Sequence, residues 1–128
     1  MTTELWILTA SALLCPALPL LYVPLYARQV GMATIHGNRE DAPAATGAAG
    51  RGARAHRNLL ENLLPFAIAV LAARAAGVSD AVTIAGAWVF LGARVVHAAS
   101  YLAGVPGIRT LSYVVGVAGT IAIVTQLH

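Results

Sequence analysis

Lysine is absent from this 128-residue chain, and charge of either sign is scarce. Eight arginines and five carboxylates make up 10% of it, against 59% hydrophobic residues. A soluble domain of this size needs a charged shell, and this composition does not supply one. From Leu5 to Ala27, 23 residues, there is no charge at all. A bilayer core takes about 20 apolar residues per helix, so this segment is long enough to cross. The basic n-region of a signal peptide is also missing, because Glu4 is the only charge ahead of Arg28. The segment is therefore expected to be a retained spanning helix, bent by Pro16, Pro19 and Pro24. A single cysteine, Cys15, excludes a disulfide and a cysteine-based metal site, and no metal is expected. The arginines flank apolar segments instead of forming an exposed basic face, which argues against nucleic acid as a partner.

What is present is a set of apolar runs. Three follow the first, interrupted by few charges, and with backbone groups satisfied internally the reading is four helices. The expectation is an all-α, integral membrane four-helix bundle forming a single domain. Its helices lie at about residues 4–30, 54–76, 80–103 and 107–127, with a polar loop at about 31–53. Arg28, Arg39, Arg51, Arg54 and Arg57 cluster in or beside that loop, while both chain ends lack lysine and arginine. The positive-inside rule then places loop 28–53 in the cytoplasm and both termini outside. Arginine at every basic position, with abundant alanine and glycine, fits a GC-rich genome, and the expected location is a bacterial inner membrane.

The few polar residues inside the spans are not scattered. At about 100° per residue, Arg57, Asn58 and Glu61 fall within about 60° of Arg54, while His56 points to the other side. On the third helix His97 and Tyr101 share the face of Arg94, and on the fourth Ser112, Tyr113 and Thr120 share that of Arg109. Under the expected topology all three stripes lie toward the same membrane half. A charge at the helix centre costs about 2.5–3.5 kcal/mol on insertion scales, so these side chains must face protein or water.

One explanation is structural, with Arg–Glu pairs locking the helices. Against it stands an imbalance: Arg54, Arg57, Arg94 and Arg109 face one intramembrane carboxylate, Glu61. Several arginines, one acid and two tyrosines suit a ligand with several anionic groups and one cation, because the guanidinium fork matches carboxylates. Gly116, Gly119 and Thr120 are expected to serve close helix packing.

The stretches "RAHRNLLENLLPF" at 54–66, "RVVHAASYL" at 94–102 and "IRTLSY" at 108–113 together resemble the MAPEG family. These are the membrane-associated proteins of eicosanoid and glutathione metabolism, and they include the microsomal glutathione transferases and prostaglandin E synthase. The resemblance implies a homotrimer of four-helix subunits, with glutathione as cosubstrate bound between neighbours near the cytoplasmic side. Glutathione has two carboxylates, one ammonium and a thiol, and so fits the imbalance. By position, Arg57, Asn58 and Glu61 would hold the peptide, Glu61 meeting its ammonium, and Arg54 and Arg28 would take carboxylates. His97 and Tyr101 would line the site, supported by Arg94.

Arg109 would act in catalysis, since a nearby cation favours the thiolate over the thiol and a helix start helps hold an anion. Thr110, where the prostaglandin synthase has a serine, and Tyr113 would be further donors to sulfur. Asp41 is read as a surface-loop residue, the alternative that the resemblance implies being the loop aspartate of the synthase branch.

The implied activity is glutathione-dependent conjugation of a lipophilic electrophile, or reduction of a lipid hydroperoxide. The partners would be membrane lipid and a lipophilic small molecule. The alternative is a non-enzymatic lipid-binding scaffold, like the lipoxygenase-activating branch of the same family. A small multidrug exporter is disfavoured, because residues 5–27 contain no carboxylate for proton coupling.

Overall fold

The computed structural model describes residues 1–127. The chain is all-helical: α1 Thr3–Val30, α2 Met32–His36, α3 Gly47–Ala75, α4 Ala81–Ala103 and α5 Pro106–Val124. The four long helices have the length and composition to cross a membrane, so the chain is a multi-pass membrane protein. Large apolar side chains such as Trp6, Leu13, Leu20, Leu64, Ile68, Trp88 and Val114 are exposed, as a lipid-facing surface requires. α1 runs unbroken through Pro16, Pro19 and Pro24.

Two boundaries differ from expectation. α3 starts at Gly47, seven residues before the expected start at 54, so the first connection shrinks to residues 31–46 and itself contains α2. Two of the glycines that make "GAAGRGA" look like a loop, Gly50 and Gly52, serve packing instead. A side chain at Gly50 would strike the Ala45 carbonyl, and one at Gly52 would strike Tyr22 on α1. Arg51, between them, reaches across to the Leu102 carbonyl at the end of α4 with Nε and Nη2, at 3.4 and 3.3 Å. α5 ends at Val124 instead of 127, where Thr125 and Gln126 form a closing turn.

The apolar core lies in the half of the bundle that holds the start of α1 and the end of α5. Phe66 and Phe90 stack with centroids 3.8 Å apart and planes 6° from parallel, surrounded by Ile7, Val70, Ala73, Ala87 and Ile123. α4 and α5 close to backbone distance at Gly86 and Gly119, each lying where the other's side chain would have to go. Small residues allow this approach, and close van der Waals contact drives helix association in lipid. Thr120 caps the same strip, its hydroxyl 3.4 Å from the Gly116 carbonyl.

The connections are short and chemically defined. Asp80 caps α4 by accepting from the Val82 and Thr83 amides, and Thr83 returns the bond to the Asp80 amide. Glu4, expected at the edge of the first helix, is buried beside this cap. It accepts hydrogen bonds from Thr83 (2.6 Å) and Ser79 (2.9 Å), clasping α1 to the start of α4. α4 closes at Gly104, left-handed at φ 77°, where a Cβ is costly. Pro106 then opens α5 in the first turn, where a missing amide hydrogen is tolerated.

Candidate functional site

The polar stripes of α3, α4 and α5 meet in the half of the bundle opposite the phenylalanine core. At their centre lies Arg94, 2% exposed. Nη1 donates to Asn58 Oδ1 of α3 at 3.0 Å. Nη2 donates to the Ser112 and Tyr113 carbonyls of α5 at 3.1 and 3.2 Å. The guanidinium also lies 5.5 Å from the Phe90 ring and 5.7 Å from Tyr113, within cation–π range. Gly116 makes this possible, since a Cβ there would occupy the space of the guanidinium. The lock that the sequence suggested through Arg–Glu pairs thus runs through neutral acceptors, and three helices converge on one arginine.

One turn along α4, His97 is buried too. Its Nδ1 lies 2.9 Å from the Arg109 carbonyl and 3.2 Å from Ser112 Oγ, and Ser112 Oγ itself donates to the Arg109 carbonyl. Tyr101 packs edge-on against the ring at 5.1 Å. The Arg109 guanidinium sits 4.9 Å over the Tyr101 ring, so a cation is held at the start of α5 by an aromatic face.

Asn58, His97, Tyr101, Arg109, Thr110 and Tyr113 line one groove of 220 Å³. Each was named from sequence. The remaining expected residues lie elsewhere. Arg54, Arg57 and Glu61 are exposed on α3, and Arg28 is exposed near the end of α1. They do not enter the groove, because they occupy the outer side of α3, which no other described residue covers. Arg94 stands behind the groove, with three of its donor bonds already made inside the protein. Thr110 lines it, yet its hydroxyl donates to the Pro106 carbonyl at 3.2 Å, so a ligand must compete for it. Asp41 is exposed, in a separate loop cavity with Asn38, Arg39 and Glu40.

Two polar contacts were not foreseen. His56, set apart by the helical wheel, meets the Tyr22 hydroxyl of α1 at 3.2 Å. The signal was its spacing, one turn after Gly52, which packs on that same tyrosine. Ser112, noted only as part of a stripe, anchors His97 through its hydroxyl and Arg94 through its carbonyl.

Beside this site, α1, α3 and α4 enclose an apolar groove of 230 Å³, lined by residues that include Leu14, Leu18, Leu21, Leu59 and Val95, with Arg94 at its wall. A polar groove with one cation, Arg109, and an apolar groove walled by the buried Arg94 thus lie close together.

No curated protein and no solved structure matches the chain. The family model that does match takes in residues 6–127, nearly the whole chain, and so includes all four long helices and every residue of the groove. On that match, the chain belongs to the MAPEG family.

Proposed function

We propose that this protein is a glutathione-binding membrane enzyme. It generates the glutathione thiolate for conjugation to lipophilic electrophiles or for reduction of lipid hydroperoxides. The observation that carries this reading is the groove in which Asn58, His97, Tyr101, Arg109, Thr110 and Tyr113 converge. It holds a cation, two phenols and an amide around the first turn of α5, where free backbone amides and the helix dipole favour an anion. Arg109, fixed over Tyr101, is the cation that stabilises the sulfur anion. Tyr113 and, after it leaves the Pro106 carbonyl, Thr110 supply hydroxyl donors.

The peptide part of glutathione extends from the groove along α3. Arg54 and Arg57 take its carboxylates there, Glu61 its ammonium, and Arg28 lies at the margin. At 220 Å³ the groove is smaller than the roughly 300–1,000 Å³ usual for small-molecule sites, and these charged residues stand outside it. A homotrimer, in which a neighbouring copy supplies the missing wall, resolves both points. The bilayer-accessible apolar groove beside Arg94 supplies a place for the lipophilic reactant. In this reading the site lies on the cytoplasmic side of a bacterial inner membrane, with both termini outside.

The test is a titration of the detergent-purified protein with glutathione, followed by the ultraviolet absorbance of the thiolate, with Arg109→Ala alongside. A cation within contact distance shifts an acid by about 1–3 pKa units, so the thiolate signal at neutral pH should fall about tenfold or more in the variant. No saturable signal in the wild type, together with no rise in Tm on adding glutathione, would overturn the enzymatic reading. The apolar groove favours one second reading, a lipid-binding scaffold. That reading predicts stabilisation by a lipophilic ligand with no response to glutathione.

A further inference from the structure

The apolar groove between α1, α3 and α4 has a defined shape. Leu14, Leu18 and Leu21 line it from α1, and Val95, Ala98 and Leu102 from α4. From Leu14 to Leu21, and from Val95 to Leu102, a helix rises about 10.5 Å, so the groove is a slot along the helix axes. Its 230 Å³ over that length leaves a cross-section of about 22 Å², room for one extended hydrocarbon chain. Leu21 and Val95 are 55% and 48% exposed, so one side of the slot opens to the bilayer. Lipid tails are as apolar as leucine, and the aliphatic walls alone do not favour one chain over another. A preference has to come from the ends.

At the inner end stands Arg94, whose terminal nitrogens already donate inside the protein. The other end lies at Leu102, just before the Gly104 turn that closes α4. Arg51 of α3 reaches this end, its Nε and Nη2 donating to the Leu102 carbonyl at 3.4 and 3.3 Å. That acceptor is neutral, so it leaves the positive charge unmatched. Nη1 has no partner among the described residues and is not buried, so it stays accessible. Tyr22, which follows Leu21, and His56 hold each other at 3.2 Å and add a polar rim on the α1 side. Basic pockets between membrane helices near the bilayer surface take anionic lipid head groups, and the guanidinium suits a phosphate. We propose that this slot holds one acyl chain of an anionic phospholipid from the surrounding bilayer, with its phosphate on Nη1 of Arg51. The second chain stays in the bilayer beyond Leu21 and Val95. A lipophilic reactant enters the same groove by displacing the bound chain, and the lipid itself binds without glutathione.

The test is native mass spectrometry of the protein from a neutral detergent, with no glutathione present. Phosphatidylglycerol is titrated against diacylglycerol carrying the same chains. The wild type should retain one phosphatidylglycerol per subunit, about tenfold or more tightly than diacylglycerol, as one charge-assisted hydrogen bond allows. Arg51→Gln keeps an N–H for the Leu102 carbonyl but removes the charge, and should abolish the preference. Arg51→Lys should restore part of it. Ala98→Phe fills the slot and should weaken retention of phosphatidylglycerol with Arg51 still in place. Equal retention of the two lipids by the wild type, or a full preference in Arg51→Gln, would overturn the proposal. Tighter retention of a long-chain fatty acid than of phosphatidylglycerol would overturn it too, in favour of a different occupant. Should the variants not fold, the wild-type comparison decides alone. A protein that keeps the lipid but ignores glutathione upholds this site and overturns the enzyme reading, and the converse result does the reverse.

Discussion

The two halves of the bundle are built from the same helices and held by opposite means. Around Phe66 and Phe90, α3, α4 and α5 meet through stacked rings and bare backbone at Gly86 and Gly119. About one to two turns past Phe90 on α4, they meet through Arg94 and His97, whose side chains bond chiefly to backbone carbonyls of α5. Among the described residues, the apolar half leaves no buried side-chain nitrogen or oxygen without a partner. The polar half leaves two buried nitrogens without partners, Arg94 Nε and His97 Nε2. Buried polar groups carry a cost in desolvation, and in the polar half that cost is only partly offset by partners.

The comparison breaks most sharply at Phe90. Phe90→Ala removes half of the ring stack and a face against Arg94, and should cost about 3–5 kcal/mol, measured as resistance to unfolding in detergent. Gly116→Ala should cost less, about 1–3 kcal/mol, because the new methyl meets a side chain that can move. Its larger effect should fall on the site, since displacing the guanidinium releases Asn58. Glutathione binding should weaken even where Tm drops by only a few degrees.

Arg94→Met is a sharper probe. It gives up charge-assisted bonds of about 1.5–3 kcal/mol each, yet also removes a buried cation, so the net loss should stay below that of Phe90→Ala. A loss as large as that of Phe90→Ala would show the polar half to be as structural as the apolar one. The smallest effect is expected at Tyr22→Phe. It deletes one half-buried hydrogen bond to His56, worth about 0.5–1.5 kcal/mol, and should leave the glutathione response unchanged.

The spans of α1, α4 and α5 were legible because uncharged stretches of sufficient length admit few structures other than spanning helices. The start of α3 was not, since glycine marks both a flexible link and a place of close approach, and only the neighbour tells them apart. For "GAAGRGA" that neighbour is Tyr22, some 30 residues earlier. The groove residues were legible because helical spacing puts them on one face of each helix. Their partners were not, because Arg94 and His97 bond to the carbonyls of Ser112, Tyr113 and Arg109, which every residue possesses. The outer position of Arg54, Arg57 and Glu61 was hidden for a related reason: a wheel gives a common face without saying what lies against it.

Glu4 and Thr83 are joined by a 2.6 Å hydrogen bond, although 79 residues separate them in the chain. A chain made from its N-terminus delivers the carboxylate first and its hydroxyl partners much later. Until α4 has entered the bilayer, Glu4 must stay at the water interface, since an unpaired carboxylate is costly inside lipid. The clasp joins the start of α1 to the start of α4, so it ties the direction of one helix to that of the other.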